Sequence, residues 1–299
     1  MKNIYKILSI LIISINYFTI SKAQEIPSSF ADLAEKLMPS VVNISTTTTV
    51  TTKSNPLPFE FPPGSPFEDM FGSPQQRQTS ALGSGFIIDE DGIVITNNHV
   101  IQGASDIFVR VNGDEDYKAE VLGADAGMDI AVLKIKSDEK FKPVKFGNSD
   151  KSRIGDWVIA IGNPFGLGGT VTAGIISARN RSIGLSRYED YIQTDASINQ
   201  GNSGGPLFNM NGDVIGINTA ILGQSGSIGI GFAIPSNSAQ KVIEQLIEFG
   251  ETKRGWLGVR IQVVDQGIAD AEKLDKPRGA LVASVADNSP SDKGGIKPG

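Results

Sequence analysis

Asn199-Gln200-Gly201-Asn202-Ser203-Gly204-Gly205-Pro206-Leu207 sets a hydroxyl among glycines. With Gly201 before Ser203 and Gly204-Gly205 after it, the backbone is free to turn tightly and to come close to a bound carbonyl, which is how a nucleophile is presented. The string Gly201 to Gly205 also satisfies G-x-S-x-G, the strand-to-helix elbow in which an acid and then a histidine follow the serine along the chain. The only histidine in the sequence, His99, precedes Ser203 and rules that order out. An order Asp, His, Ser has Asp89 and Asp91 to draw on, but Asp89-Glu90-Asp91-Gly92 reads as a hairpin turn. An order His, Asp, Ser needs an acid between 99 and 203 that a fold can hold in a dry place. Asp106, Asp156, Asp190 and Asp195 lie in that interval; Asp129 fits best, because it heads the apolar run Ile130-Ala131-Val132-Leu133. Each residue also has a plainer reading: a lone histidine on a surface, an acid at a strand end, a serine in an ordinary glycine-rich loop. A phosphate-cradling loop fits less well, since no lysine follows Gly204-Gly205 in the required place.

Taken together, Thr96-Asn97-Asn98-His99-Val100, Asp129-Ile130-Ala131-Val132-Leu133 and Gly201-Asn202-Ser203-Gly204-Gly205-Pro206-Leu207 resemble the three catalytic blocks of the HtrA/Deg (Do-like) trypsin-fold serine proteases. The resemblance runs from about residue 30 to the end of the sequence. It implies an all-β fold, a trypsin-like double β-barrel followed by the start of a PDZ domain. It also implies a triad of His99, Asp129 and Ser203, with the N–H groups of Gly201 and Ser203 as oxyanion hole. Substrate contacts are expected from Ile198, Asn202, Thr219, Ala220, Ile221, Leu222, Gly223 and Ile230. Of these, Ile198, Ile221 and Ile230 would wall a shallow apolar pocket with no acid at its base, suited to small aliphatic side chains. The implied activity is an exported serine endopeptidase for unfolded or misfolded proteins in protein quality control, with chaperone activity and a trimer-based homo-oligomer. The competing class is a catalytically silent, protease-shaped chaperone or peptide-binding module, to be preferred if the triad were incomplete.

Composition bounds these readings. At 299 residues with 39% hydrophobic residues, the chain is long enough for one large or two ordinary domains with real cores. The formal net charge is −6, and setting aside Lys2, Lys6 and Lys22 makes it −9, which disfavours nucleic acid as a partner. There is no cysteine, so disulfides, thiolate zinc sites and a cysteine nucleophile are excluded. With a single histidine as well, no ligand set for a transition metal is evident, and chemistry without metal or cofactor is expected.

Outward from the motifs, Met1 to Lys6 is basic, Ile7 to Ile20 is mostly apolar, and Ser21-Lys22-Ala23 is a small-x-small exit, the pattern of a signal peptide cleaved after Ala23. The apolar run falls short of the ~20 residues of a spanning helix. Export is expected from this pattern, and the family resemblance implies the periplasm as the destination. Ser28 to Met38 has helical spacing, with Ser29 as cap and Pro39 beyond the end. Val41-Val42-Asn43-Ile44 reads as a first strand. Lys53 to Ser80 carries six prolines and four phenylalanines without periodicity, and a long loop about 51–80 is expected. A hairpin, 83–88 and 93–96, leads to His99 across the Asp91-Gly92 turn. Strands are expected at 107–111, 117–122 and 130–135, and a second set at 157–161, 170–177, 191–194, 207–208, 214–221 and 229–234. Two barrels of about six strands would place His99 and Asp129 on one and Ser203 on the other, with the cleft at their junction. Asn237 to Phe249 reads as an amphipathic helix with Gln240 closing a capping box on Asn237 and Gly250 after its end. It closes a protease domain of residues 24–252. From 253 to 299, Gly255-Trp256-Leu257-Gly258-Val259 resembles the carboxylate-binding loop and first strand of a PDZ domain, in which Trp256, Leu257, Gly258 and Val259 would receive peptide C-termini by strand addition.

Overall fold

A computed structural model of the chain describes residues 27–52, 75–113, 115–163, 169–184, 186, 188–199, 201–221 and 227–299. Of residues 49–52, 75–80, 220 and 221 it describes the backbone alone. The leader at 1–23, the proline-rich stretch 53–74, Gln200, Leu222 and Gly223 lie outside the described residues.

Helix α1 (Ala31–Leu37) precedes six strands: β1 (Val41–Thr52), β2 (Gln75–Ile87), β3 (Ile93–Thr96), β4 (Asp106–Val111), β5 (Glu115–Asp125) and β6 (Ile130–Ile135). They close a barrel in the order β1-β2-β3-β6-β5-β4, and a single helical turn, α2 (Asn98–Ile101), sits between β3 and β4. A second barrel, β10-β11-β12-β9-β8-β7, is built from β7 (Trp157–Gly162), β8 (Thr170–Arg181), β9 (Tyr191–Thr194), β10 (Pro206–Asn209), β11 (Val214–Ile221) and β12 (Gly231–Pro235). Helix α3 (Ser236–Phe249) follows.

Strand periodicity explains why the inner strands read as continuous apolar runs. Side chains alternate between the two faces of a strand. In β6, Ala131, Leu133 and Ile135 fill the first barrel, while Ile130 and Val132 point the other way into a second core. In β7, Val158 and Ala160 fill the second barrel, and Ile159 and Ile161 join that same second core. This shared core includes Phe86, Ile95, Phe208, Ile217 and Phe232 and is covered by Ala239, Val242, Ile243 and Leu246 of α3. Both faces of such strands are buried, so the barrels are fused across a dry seam.

Three local expectations need correction. The expected loop at about 51–80 is strand at both ends: 51–52 and 75–80 belong to an arm in which Thr46–Thr52 pairs antiparallel with Gln75–Ala81, as β-branched threonine favours. Helix α1 starts at Ala31 rather than Ser28, although the Ser29 hydroxyl still accepts from the Ala31 N–H at 3.1 Å. Helix α3 has Pro235 at its cap and no reciprocal box. Asn237 Nδ2 instead donates to Asn148 at 2.9 Å and Asp150 at 2.6 Å, and Gln240 Nε2 reaches back to the Ser236 carbonyl at 3.3 Å. Gly250, at φ +75°, ends the helix with its N–H on the Leu246 carbonyl, as expected.

Beyond α3, Arg254 grips Asp125 with two N–H···O bonds of 2.6 and 2.8 Å, the Thr252 hydroxyl adds another, and the guanidinium lies 4.3 Å from the Tyr188 ring centroid. Burial pushes the Asp125 carboxyl up, but Arg254, Thr252 and the Met128 N–H together hold it below its usual range. The remaining residues form an antiparallel pair, β13 (Val259–Val263) with β14 (Ala280–Val285), and two short helices, α4 (Gln266–Ala271) and α5 (Pro290–Lys293). Trp256 and Leu257 are exposed there; the Leu257 carbonyl accepts from Ser291 N–H and the Gly258 carbonyl from Ala286 N–H.

Candidate active site

His99 rides on α2 because its neighbours Val100 and Ile101 are buried in the first barrel, which leaves the imidazole facing outward and 46% exposed. Asp129 stands just before β6 with φ +56°, a left-handed conformation that Asp tolerates better than most residues. Its carboxylate bridges the helical turn: Oδ1 accepts from the His99 backbone N–H at 2.8 Å and Oδ2 lies 2.6 Å from His99 Nδ1. The imidazole is thereby held by Nδ1, with Nε2 left for another partner.

The other acids in the interval are engaged elsewhere. Asp106 pairs with Lys118, Asp156 with Arg153, Asp190 accepts from Asn180 and Asp195 from the Ile175 N–H. Asn97, fully buried, ties both barrels at this point: its Nδ2 donates to the Asp129 carbonyl at 2.7 Å and to Thr219 Oγ1 at 2.8 Å.

Ser203 comes from the β9–β10 connection of the second barrel. Its loop is pressed against β2 and β3 so closely that a Cβ on Gly204, at φ +83°, would stand 2.3 Å from both the Ser84 carbonyl and Thr96 Oγ1. That contact brings the loop to Asn97, two residues before His99. Within the loop, the N–H of Asn202 goes to the Asn199 carbonyl, that of Gly204 to Asn218 and that of Gly205 to Asn202. The N–H groups of Gly201 and Ser203 have no acceptor among the described residues, and Gly201 has φ +101°. Ser203 Oγ makes no hydrogen bond to His99 among the described residues; such bonds are often long in free enzymes and tighten with substrate.

Of the expected substrate contacts, Asn202 is buried with its Nδ2 on the Ser197 carbonyl, and Thr219 is buried at a bulge in β11. Ile198 belongs to the interior of the second barrel and lies against Gly231, where a Cβ would fall 2.6 Å from Ile198 Cγ1. Ile230 is half-buried against the shared core. Past Asn218, β11 is paired with β12 on one side and has no second strand among the described residues. Among the described residues no cluster of three metal-ligating side chains occurs, and no helix is long and apolar enough to cross a membrane.

This two-barrel geometry has close counterparts. A trypsin-like peptidase domain is matched over residues 83–217. The solved HtrA-type protease AlgW with decapeptide is 43% identical, with a TM-score of 0.73 over 90% of this chain and 83% of that one. The chain belongs to the HtrA family of trypsin-like serine proteases. Proteins named probable periplasmic serine endoprotease DegP-like, from Marinomonas sp. and Brucella suis biovar 1, are 49% and 45% identical over 90% and 91% of this chain. The chain spans 61% and 59% of the length of these two curated relatives.

Three side chains of this HtrA site have roles that the motif reading does not assign. Ser84 and Asn97 are buried polar residues that carry the contacts between the barrels. Their trace in the sequence is small or polar residues, Gly83-Ser84-Gly85 and Asn97 of the His99 block, interrupting or abutting strongly apolar strands. A third, Glu189, organises the loop beside Tyr191: it accepts from Ser182 Oγ and from the N–H groups of Ile183, Gly184 and Ser186.

Proposed function

We propose that this chain is an exported serine endopeptidase that cleaves unfolded or misfolded polypeptides in the periplasm. Ser203 Oγ attacks the peptide carbonyl, and His99 Nε2 takes its proton and returns it to the leaving amine. Asp129 fixes the imidazole tautomer and stabilises the imidazolium. The N–H groups of Gly201 and Ser203 receive the developing oxyanion, a donor of this kind being worth about 3 kcal/mol in the transition state. The observation that carries the reading is the Asp129 carboxylate bridging both the backbone and Nδ1 of His99. An ordinary strand-end acid has no reason to make that pair of contacts.

The open edge of β11 at Thr219, Ala220 and Ile221 supports an extended substrate strand added to the sheet. Ile198, Ile221 and Ile230 would wall a shallow apolar pocket for Val, Ala or Ile. Such side chains are normally buried and become available when a substrate unfolds. The curated relatives are named periplasmic endoproteases, which supports export by a leader at 1–23. In the same reading 24–252 is the protease domain, with chaperone activity and a trimer-based assembly. Residues 253–299 are the first part of a PDZ domain, whose Trp256-Leu257-Gly258-Val259 loop takes peptide C-termini. The test is Ser203→Ala on fluorescent casein: cleavage should vanish with the fold and thermal midpoint kept, and residual proteolysis within tenfold of the unsubstituted protein would sink the assignment. Mass spectrometry of the released peptides should show cuts after small aliphatic residues; a majority after Lys, Arg or large aromatics would reject the pocket.

A further inference from the structure

Ser84 sits on β2 of the first barrel, fully buried, and spends its hydroxyl and its N–H on the contact with the second. Its Oγ donates to the Gly201 carbonyl at 2.5 Å and accepts from the Asn163 N–H at 2.8 Å. Its N–H donates to the Ser203 carbonyl at 2.9 Å, and its carbonyl accepts from Thr96 Oγ1 at 2.8 Å. The peptide between Gly201 and Asn202 is thus pinned at its oxygen by Ser84 and at its N–H by Asn199. The peptide between Ser203 and Gly204 is pinned at its oxygen by Ser84 and at its N–H by Asn218. These two peptides flank the one that carries the Ser203 N–H, whose oxygen, on Asn202, is held by Gly205.

We propose that Ser84 is a positioning residue for the oxyanion hole: from the opposite barrel it fixes the planes of the two peptides on either side of the proposed donor. The inference rests on the reading of Ser203 as nucleophile. A hydrogen bond anchored in a different barrel holds the loop against the movement that would otherwise tilt the Ser203 N–H. Because the hole acts chiefly on the transition state, loosening it lowers kcat and leaves ground-state binding nearly alone. A misplacement of about 1 Å is enough for a loss on the order of 10²-fold.

The experiment compares Ser84→Ala with Ile176→Val, a destabilising change inside the second barrel, using fluorescent casein and counting competent sites by titration with a serine-directed covalent inhibitor. Ser84→Ala should lower kcat per competent site by about ten- to a hundredfold with KM within about threefold, and weaken a valine-ending peptide boronate by a similar factor. Ile176→Val should lower the thermal midpoint with kcat per competent site unchanged. A Ser84→Ala kcat within twofold of the unsubstituted protein, or KM and kcat moving together, overturns the proposal. If Ser84→Ala does not fold, Ser84→Cys keeps the shape with weaker hydrogen bonds; it should show the same kcat-selective loss, and an unchanged kcat overturns the proposal. Ser203→Ala run alongside separates the two failures. An inert Ser203→Ala with normal Ser84 variants rejects the role of Ser84 alone, whereas an active Ser203→Ala removes the nucleophile reading and this proposal with it.

Discussion

Asp129 does two things from one unusual backbone position. At φ +56° its carboxylate spans the His99 N–H and Nδ1, while its own carbonyl is held by Asn97. Asparagine tolerates the same conformation and nearly the same shape, so Asp129→Asn tests charge and tautomer rather than fold. It should lower kcat by roughly 10⁴-fold with the thermal midpoint little changed. Asp106→Asn, on an exposed pair with Lys118, should leave the rate alone, and an equal loss there would mean the wrong acid has been named. The apolar run that follows Asp129 placed it ahead of its competitors only weakly, and the resemblance of Asp129 to Leu133 to a catalytic block did the rest. What separates it physically is that each of the others is committed to a donor near it in space, which spacing along the chain does not reveal. The role of Ser84 was not legible, because it depends on partners in a second barrel, 79 residues away at Asn163 and 117 at Gly201.

At the scale of elements, the strands were legible wherever apolar residues and turn glycines punctuated them: β6, β9 and β11 fall where the pattern put them. The Thr46–Thr52 arm was missed because its partner, Gln75–Ala81, is polar and lies across the proline-rich stretch. The loop from Ser182 to Glu189 was silent for a related reason, since one carboxylate organises it. Burial pushes the Glu189 carboxyl up, but Ser182, Gly184, Ser186 and Ile183 outweigh that and hold it at about 2, against an ordinary 4.5. Its folded value is depressed, so its stabilisation is fully present above about pH 4.5 and is lost as pH falls toward 2. Glu189→Gln should flatten the thermal midpoint between those pH values; an unchanged slope would show that the carboxylate contributes nothing there.

The whole molecule depends on a seam in which apolar and polar contacts alternate. Ile130, Ile159, Phe208 and Ile217 weld the barrels together, and Asn97, Ser84 and the Gly204 contact register the site across the weld. Farther out, Arg254 joins residues after α3 to the first barrel through Asp125, whose side chain is only 3% exposed. Arg254→Met would leave that carboxylate buried without its cation, costing roughly 3 kcal/mol and visible as a lower thermal midpoint. A midpoint within 1 °C or so of the unsubstituted protein would mean that Thr252 and the Met128 N–H suffice. Barrel closure and the junction site follow from strand count and motif order, whereas the registry of the weld required the three-dimensional arrangement. The central claim is that Ser203, activated by His99 and Asp129, is the nucleophile. It is tested most directly by treating the protein with a fluorophosphonate and mapping the adduct by mass spectrometry while following casein cleavage. The account predicts one adduct, on Ser203, whose occupancy tracks the loss of activity and whose rate of formation collapses in Asp129→Asn. Full cleavage by protein labelled at Ser203, or an inactivating adduct on any other residue, would contradict it.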